Sequence, residues 1–390
     1  MTGSAARRPV IAGLGITEVG KVYDRDAARF AADAVRLAVA DAGLDLSDVD
    51  GLFVNPGTTG EVGVDLQSQL QLPELRLLSE IQAFGASAGA MVAQASLAVQ
   101  AGMADVVVCV FADAPLREGK GSGAVYAGRA QPSGFAGMIP AAGLTSVNAV
   151  YALAARRHVE AYGTTSEQLG AIAVAQRAWA AMNPLAQLRE PITIADHQAS
   201  RWIAEPLHLL DCCLVSNGGI AVVVTSADRA AQLRQPPVHV LGFAQSHVGH
   251  PNPRDGRFGL ISGAAQAGPA ALKMAGLGIS DVDVAELYDC YTYTVLLTLE
   301  DYGFCAKGEG GPFAASGALG PGGSLAVNTG GGQLSSYYLW GMTPLSEAII
   351  QARGHGGPRQ APRNDVVLVS GNGGLLAHHA TLVLSPHPHS

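Results

Sequence analysis

Positive charge is in short supply in this 390-residue chain: 24 lysines and arginines face 32 aspartates and glutamates, a formal net charge of −8. A general grip on nucleic acid needs a basic surface, so that class of partner is excluded and any anionic ligand must be met by local groups. Cysteine is scarce as well. The five present (Cys109, Cys212, Cys213, Cys290, Cys305) are odd in number and contain no Cys-x-x-Cys pair, which argues against a zinc or other metal site and for a reduced, cytoplasmic compartment. No run reaches the roughly 18 apolar residues that cross a bilayer, and the apolar stretch 9–16 behind two arginines is too short for a signal peptide. The expectation is a soluble protein without a membrane association. Aromatics amount to 6% and charged residues to 14%, whereas 48% of the chain is hydrophobic, a composition of large buried layers rather than of disorder.

The length exceeds one ordinary core and suits two domains or one fold of two similar halves. Internal similarity favours the latter. AGLDLSDVD at 42–50 and AGLGISDVD at 275–283 agree at seven of nine positions, each behind a helical stretch and ahead of an apolar strand. DVVVC at 105–109 and DVVLV at 365–369 form a second echo in the same order, each a β-branched run suited to a strand buried on both faces. The spacing predicts a helix over 26–42, with Phe30, Ala34, Leu37 and Ala38 inward, Arg29, Asp33 and Arg36 outward, and Gly43 as its cap. The α/β chain therefore divides into a first half, 1–228, and a second, 235–390. The first half carries a loop and helix excursion over 114–205, with helices at 148–162 and 166–182, placed to cover a site.

Residues 81–108, IQAFGASAGAMVAQASLAVQAGMADVVV, read as a loop, a helix buried all round, and a strand. Gly85, Ala86 and Ser87 open that helix, with Ser87 as a candidate cap. Its amide-rich N-terminus would sit at the carboxyl end of a buried strand, where open α/β folds bind ligands. Small residues there leave room for one.

Together with ELYDCYTY (286–293), NTGGGQLSSYYLWG (328–341), VSGNGG (369–374) and ASRWIAEPLHLLDCC (199–213), this segment resembles the thiolase superfamily in its sterol-carrier-protein-x branch. The resemblance runs through essentially the whole chain. It implies a thiolase fold, two duplicated halves in a five-layered αβαβα core. The acyl-accepting cysteine of thiolases falls on Gly85, their second cysteine on Ser370, the histidine of their Gly-His-Pro motif on Tyr338, and the Asn or His that opens the YDCY-like motif on Tyr288. Thiolytic chemistry needs a thiolate and a basic partner to generate it. Neither is present at these positions.

What stands there instead is similar to the thiolase-like aldolases that cleave side chains from steroid-type acyl-CoA thioesters through paired tyrosines. The resemblance implies retro-aldol cleavage of a 3-hydroxyacyl-CoA to a ketone and a short acyl-CoA such as propionyl-CoA, with no covalent intermediate and no cofactor beyond the coenzyme A of the substrate. Tyr288 and Tyr338 are the catalytic candidates, with base and acid left open. A phenol brought from about 10 to near 7 costs roughly 4 kcal/mol, which a helix N-terminus or a hydrogen-bond relay must supply. Backbone amides at Gly85, Ala86 and 371–374 are oxyanion candidates, and Gly85 makes space for the carbon skeleton. Ser87, Asp289, Asn328, Gly331, Gly332, Gly371, Asn372 and Gly373 complete the expected substrate site.

Other features are blander. Tyr291, Tyr293 and Tyr337 read as structural or substrate-facing, and Asp289 can orient Tyr288 or cap a turn. Gly330–Gly332 lacks the Lys and Ser/Thr of a P-loop, and GLGITEVG (13–20) lacks the third glycine of a dinucleotide site. His378 and His379 point to opposite faces of a strand and cannot share a metal, while His247 and His250 receive no role. Arg117, Lys120 and Arg129 are the basic residues on hand for coenzyme A. Two other readings stay open, an acyltransferase using Ser87 or Ser370 and a non-catalytic lipid-binding or scaffold subunit. The family resemblance further implies a homodimer working with a small companion bearing an OB-fold and often a zinc ribbon, as a heterotetramer.

Overall fold

The computed structural model describes residues 7–123, 134–248 and 256–388. Ten strands form one mixed sheet in the order β10-β9-β11-β12-β8-β1-β7-β4-β2-β3. The strands are β1 (Pro9–Ile16), β2 (Gly51–Asn55), β3 (Leu77–Glu80), β4 (Val106–Asp113), β7 (Gly218–Ser226), β8 (Val238–His247), β9 (Val284–Glu286), β10 (Ala326–Val327), β11 (Val367–Gly373) and β12 (His378–Ser385). A separate hairpin, β5 (Trp202–Ala204) with β6 (Leu207–His208), belongs to the excursion. Strands β3-β2-β4-β7-β1 and β10-β9-β11-β12-β8 follow the same order, with two parallel pairings and then two antiparallel ones in each series. The series meet at a short antiparallel contact, Val10 with His239 and Ile11 with Val238. The repeated nonapeptide forms a 3-10 turn before β2 and again before β9, and the two β-branched echoes lie in β4 and β11, the equivalent strands.

Helices complete five layers. The helix Ala27–Ala42 packs on β1, β4 and β7, and Ala264–Ala275 packs on β8 and β12. Between the series lie Ser87–Gln100 and Met342–Ala352, each touching strands of both. The first helix is capped by Asp26, whose carboxylate accepts from the Arg29 amide, and ends at Gly43 with φ 77°. Two inward assignments change. Leu37 is 46% exposed, because only its root packs down beside Gly15 while Phe30, Ala34 and Ala38 face the strands. The Ser87–Gln100 helix is not buried all round: Gln94, Leu97 and Gln100, spaced by three, form a stripe to solvent, with Leu97 53% exposed.

The excursion contains helices Val147–Tyr162 and Ser166–Ala180, the latter opened by a Thr165/Gln168 capping box. It clamps the 330–336 turn of the second half. Asn183 donates to Gly330 O at 2.8 Å, Arg177 to Ser335 Oγ at 2.9 Å, and the amides of Gln187 and Leu188 to the carbonyls of Ser336 and Ser335. Among the described residues no helix is long and apolar enough to cross a membrane.

Candidate active site

Strands β9, β10 and β11 run parallel, so their carboxyl ends open on one edge. β9 delivers Tyr288 and Asp289, β10 delivers Asn328 and the turn leading to Tyr338, and β11 delivers Ser370 to Gly373. The turn Phe84–Ala86 ahead of the buried helix closes against the last of these.

Tyr288 Oη and Tyr338 Oη lie 3.2 Å apart, the two groups having come from positions 50 residues apart in the chain. Tyr288 is 4% exposed, and Tyr338 is half-buried. Each is fixed through its backbone: the Tyr288 amide donates to Ser370 Oγ at 2.9 Å, and the Tyr338 amide to Ser216 Oγ at 3.0 Å. Burial, and then the neighbouring Tyr338, push the Tyr288 phenol well above its ordinary value. Both effects favour the neutral phenol at Tyr288.

Gly85 sits against this pair in an unexpected way. A Cβ at Gly85 would collide with the Cε2 and Cζ atoms of Tyr288 and with the carbonyl of Asn372. The volume released by the missing side chain is therefore occupied by the Tyr288 ring instead of being left for a carbon skeleton. Gly371 and Gly373 extend the same close approach, since a Cβ at either would meet the backbone of 83–86. Ala86 is buried at the helix opening, its amide bonded to Ala83 O. Ser87 does not cap the helix. Its Oγ accepts from the Ala83 amide at 2.7 Å, which fixes the turn, and the helix has no side-chain cap.

Asp289 is fully buried, and its carboxylate accepts from the amides of Gln333 (2.8 and 2.9 Å) and Leu334 (3.1 Å). It holds the 332–336 turn and does not touch Tyr288 through a hydrogen bond among the described residues. Burial raises it to about 7, against the lowering effect of those amides. Gly332 (φ 59°) is seated on that carboxylate and Gly331 (φ 93°) on Ala180, so both are close-approach positions. Asn328, buried with φ 51°, accepts from the Leu287 amide at 2.6 Å through Oδ1, while its Nδ2 has no partner among the described residues. Asn372 is likewise buried, its Oδ1 unpartnered among the described residues. The structure thus gathers all these positions around one strand edge, some as scaffold and some with unspent polar atoms.

All five thiols are pushed upward by burial, Cys290 and Cys212 to about 12, so none is poised as a thiolate. Ser370 Oγ is fully buried and accepts from Tyr288, which leaves it ill placed as a nucleophile. His378 and His379 do face opposite ways: His378 meets His247 at 3.0 Å, and His379 is buried against Tyr302 at 2.8 Å. Among the described residues no cluster of three metal-binding side chains occurs. Arg117 pairs with Glu61 at 3.5 Å, the Lys120 amide closes a turn onto Arg117, and Arg129 and His250 lie outside the described residues. Sequence reasoning missed Ser216, which comes from the first half with no motif to mark it.

Residues 248–386 match the family described as thiolase C-terminal domain-like. The chain is 40% identical over 384 residues to a steroid side-chain-cleaving aldolase of Thermomonospora curvata, covering 96% of both proteins. It is also 40% identical over 389 residues to the 17-hydroxy-3-oxo-4-pregnene-20-carboxyl-CoA lyase of Mycobacterium tuberculosis, covering 96% of this chain and 97% of that one. The solved Ltp2-ChsH2(DUF35) aldolase superposes with a TM-score of 0.87 at 37% identity, over 98% of this chain and 99% of that one. With a fold, a strand-edge site and full-length relatives in accord, the chain belongs to the thiolase superfamily and is one of its aldolases, a carbon–carbon lyase.

Proposed function

We propose that this enzyme performs retro-aldol cleavage of a 3-hydroxyacyl-CoA thioester bearing a tertiary alcohol, releasing a ketone and a short acyl-CoA such as propionyl-CoA. A steroid-type side chain is the favoured substrate, in keeping with the names of the two 40% identical relatives. The single observation that carries the reading is the 3.2 Å approach of Tyr288 and Tyr338 at the strand edge. Tyr338, the less buried phenol, takes the alcohol proton; Tyr288, held neutral, donates to the phenolate oxygen of Tyr338 and lowers its cost. The carbon–carbon bond then breaks, its electrons form the thioester enolate, and a phenolic proton passes to the α-carbon. The proton taken from the alcohol thereby balances the one delivered to carbon, and no redox partner is required.

The buried Asn328 Nδ2 and the backbone amide of Gly85 are donors of the right kind for the enolate oxygen, the amides of Phe84 and Ala86 being engaged by Gln82 Oε1 and Ala83 O. No covalent intermediate enters, which fits the raised thiols and the engaged hydroxyls of Ser87 and Ser370. The coenzyme A moiety lies toward the excursion, with Arg117 and Lys120 as candidate contacts. We further infer a cytoplasmic homodimer assembled with a small OB-fold companion, a reading supported by the ChsH2(DUF35) component named in the solved relative.

Incubation of the chain, alone and with its companion, with a panel of tertiary 3-hydroxyacyl-CoA esters tests the reading by mass spectrometry. Propionyl-CoA or acetyl-CoA should appear together with the matching ketone. Release of acyl groups onto the protein, with no ketone, would point instead to acyl transfer.

A further inference from the structure

We propose that segment 211–216 is a strap that sets the separation of Tyr288 and Tyr338, with Thr292 and Ser216, the hydroxyls through which it grips the two, as positioning residues. The inference rests on the paired-tyrosine reading and extends it. The strap begins at Asp211, in the ASRWIAEPLHLLDCC stretch to which the phenols themselves give no role. The Asp211 carboxylate is fully buried and held by three donors: Thr292 Oγ1 at 2.6 Å, His197 Nε2 at 2.9 Å and the His208 amide at 2.7 Å. His197 is fully buried as well, and its Nδ1 lies 3.1 Å from the Gln198 side-chain amide, so Nδ1 accepts and Nε2 carries the proton toward Asp211. A carboxylate gripped in this way is costly to move, because each donor it leaves is stranded away from water.

From that anchor the strap reaches both segments that carry a phenol. Residues 211–213 hold the Tyr288 side: Thr292 opens the helix Thr292–Tyr302, Cys212 forms an antiparallel bridge with Tyr291, and the Cys213 amide donates to the Cys290 carbonyl at 3.1 Å. Within that helix Thr294 Oγ1 donates to the carbonyls of Tyr291 (2.7 Å) and Tyr288 (3.1 Å), which carries the placement of the helix back to the phenol. Residues 214–216 hold the Tyr338 side. The Leu214 amide donates to the Gln333 carbonyl at 3.0 Å, and Ser216 Oγ accepts from the Tyr338 amide at 3.0 Å. A run of backbone fixed at both ends cannot lengthen, so it holds the two segments at one spacing. The 3.2 Å between the phenolic oxygens leaves little slack for proton transfer, and a misplacement of roughly 1 Å costs about 10²-fold in rate.

The test is a pair of double-mutant cycles in the full chain with its companion, using 17-hydroxy-3-oxo-4-pregnene-20-carboxyl-CoA. Thr292→Val, which keeps the shape and removes the hydroxyl, should lower kcat about 10- to 100-fold with KM changed less than about twofold. Thr292→Ser, which keeps the hydroxyl, should restore most of that kcat. Placed in a Tyr288→Phe background, Thr292→Val should cost less than about twofold more, because the phenol it positions is already gone. Ser216→Ala, at the other end of the strap, is an independent arm and should behave alike alone and beside Tyr338→Phe. Wild-type kcat in Thr292→Val and Ser216→Ala would overturn the proposal, as would a loss confined to KM. So would a full loss repeated in the Phe backgrounds, which would assign both hydroxyls to stability. Wild-type kcat in Tyr288→Phe and Tyr338→Phe sinks the paired-tyrosine reading and the strap together, whereas inactive Phe variants beside unaffected Thr292→Val and Ser216→Ala sink the strap alone.

Discussion

Gly85 and Tyr288 compete for one volume. The ring of Tyr288 lies where the side chain of residue 85 would be, and the Asn372 carbonyl closes the remaining side. A side chain at 85 and the Tyr288 ring in its present place therefore exclude each other in this structure.

Restoring the cysteine alone should consequently fail to restore thiolase chemistry. Gly85→Cys is expected to destabilise the protein by about 1–3 kcal/mol through overpacking and to reduce cleavage sharply by displacing Tyr288. Adding Tyr288→Ala relieves only the clash with the ring, since the Asn372 carbonyl still meets residue 85, and should recover neither the melting temperature in full nor cleavage. Thermal unfolding and a ketone assay on both variants check this.

Removal of either phenolic oxygen should slow the reaction with little effect on folding. Tyr338→Phe and Tyr288→Phe are each expected to lower kcat by about 10²–10⁴-fold, the range of a general acid or base, with KM nearly unchanged. Retention of kcat by Tyr338→Phe would remove that residue from the role of base.

Ser370 offers a test of scaffold against nucleophile. Its Oγ accepts from the Tyr288 amide in a fully buried setting, so Ser370→Ala strands a donor and should cost about 1–3 kcal/mol of stability. Cleavage should decline modestly, through looser placement of Tyr288, rather than vanish. Abolished turnover at unchanged melting temperature would indicate direct chemistry at Ser370.

Two buried groups should tilt stability in opposite directions over the same range, about pH 4 to 7. Asp289 is raised to about 7, so the folded state retains a proton that the unfolded chain has lost by about pH 4; its contribution is present at low pH and disappears as pH rises through about 7. His379 is lowered to about 3 by burial, so below about 6.5 the unfolded chain takes up a proton that the folded state refuses, and stability declines with falling pH. Melting temperatures across about pH 4 to 7 should show Asp289→Asn removing the falling contribution, so that stability rises more steeply with pH than in the wild type. An unchanged pH dependence over that range would remove Asp289 as a contributor.

The sequence by itself determined the layered α/β fold and its internal repetition. Periodicity and β-branching fix where helices and strands form, and the 42–50 and 275–283 repeat was enough to mark equivalent turns before β2 and β9. The family resemblance, rather than periodicity or spacing, singled out Tyr288 and Tyr338, and parallel strands bring the two to one edge whatever their distance along the chain. Tertiary structure alone decided what fills the space at Gly85, which of the glycines serve only as close approaches, and that Asp289 holds a turn. It also brought Ser216 to the Tyr338 backbone from a distant segment. Those outcomes depend on contacts within a few ångströms between elements far apart in sequence, and neither hydrophobic period nor local spacing encodes the packing distance between two backbones.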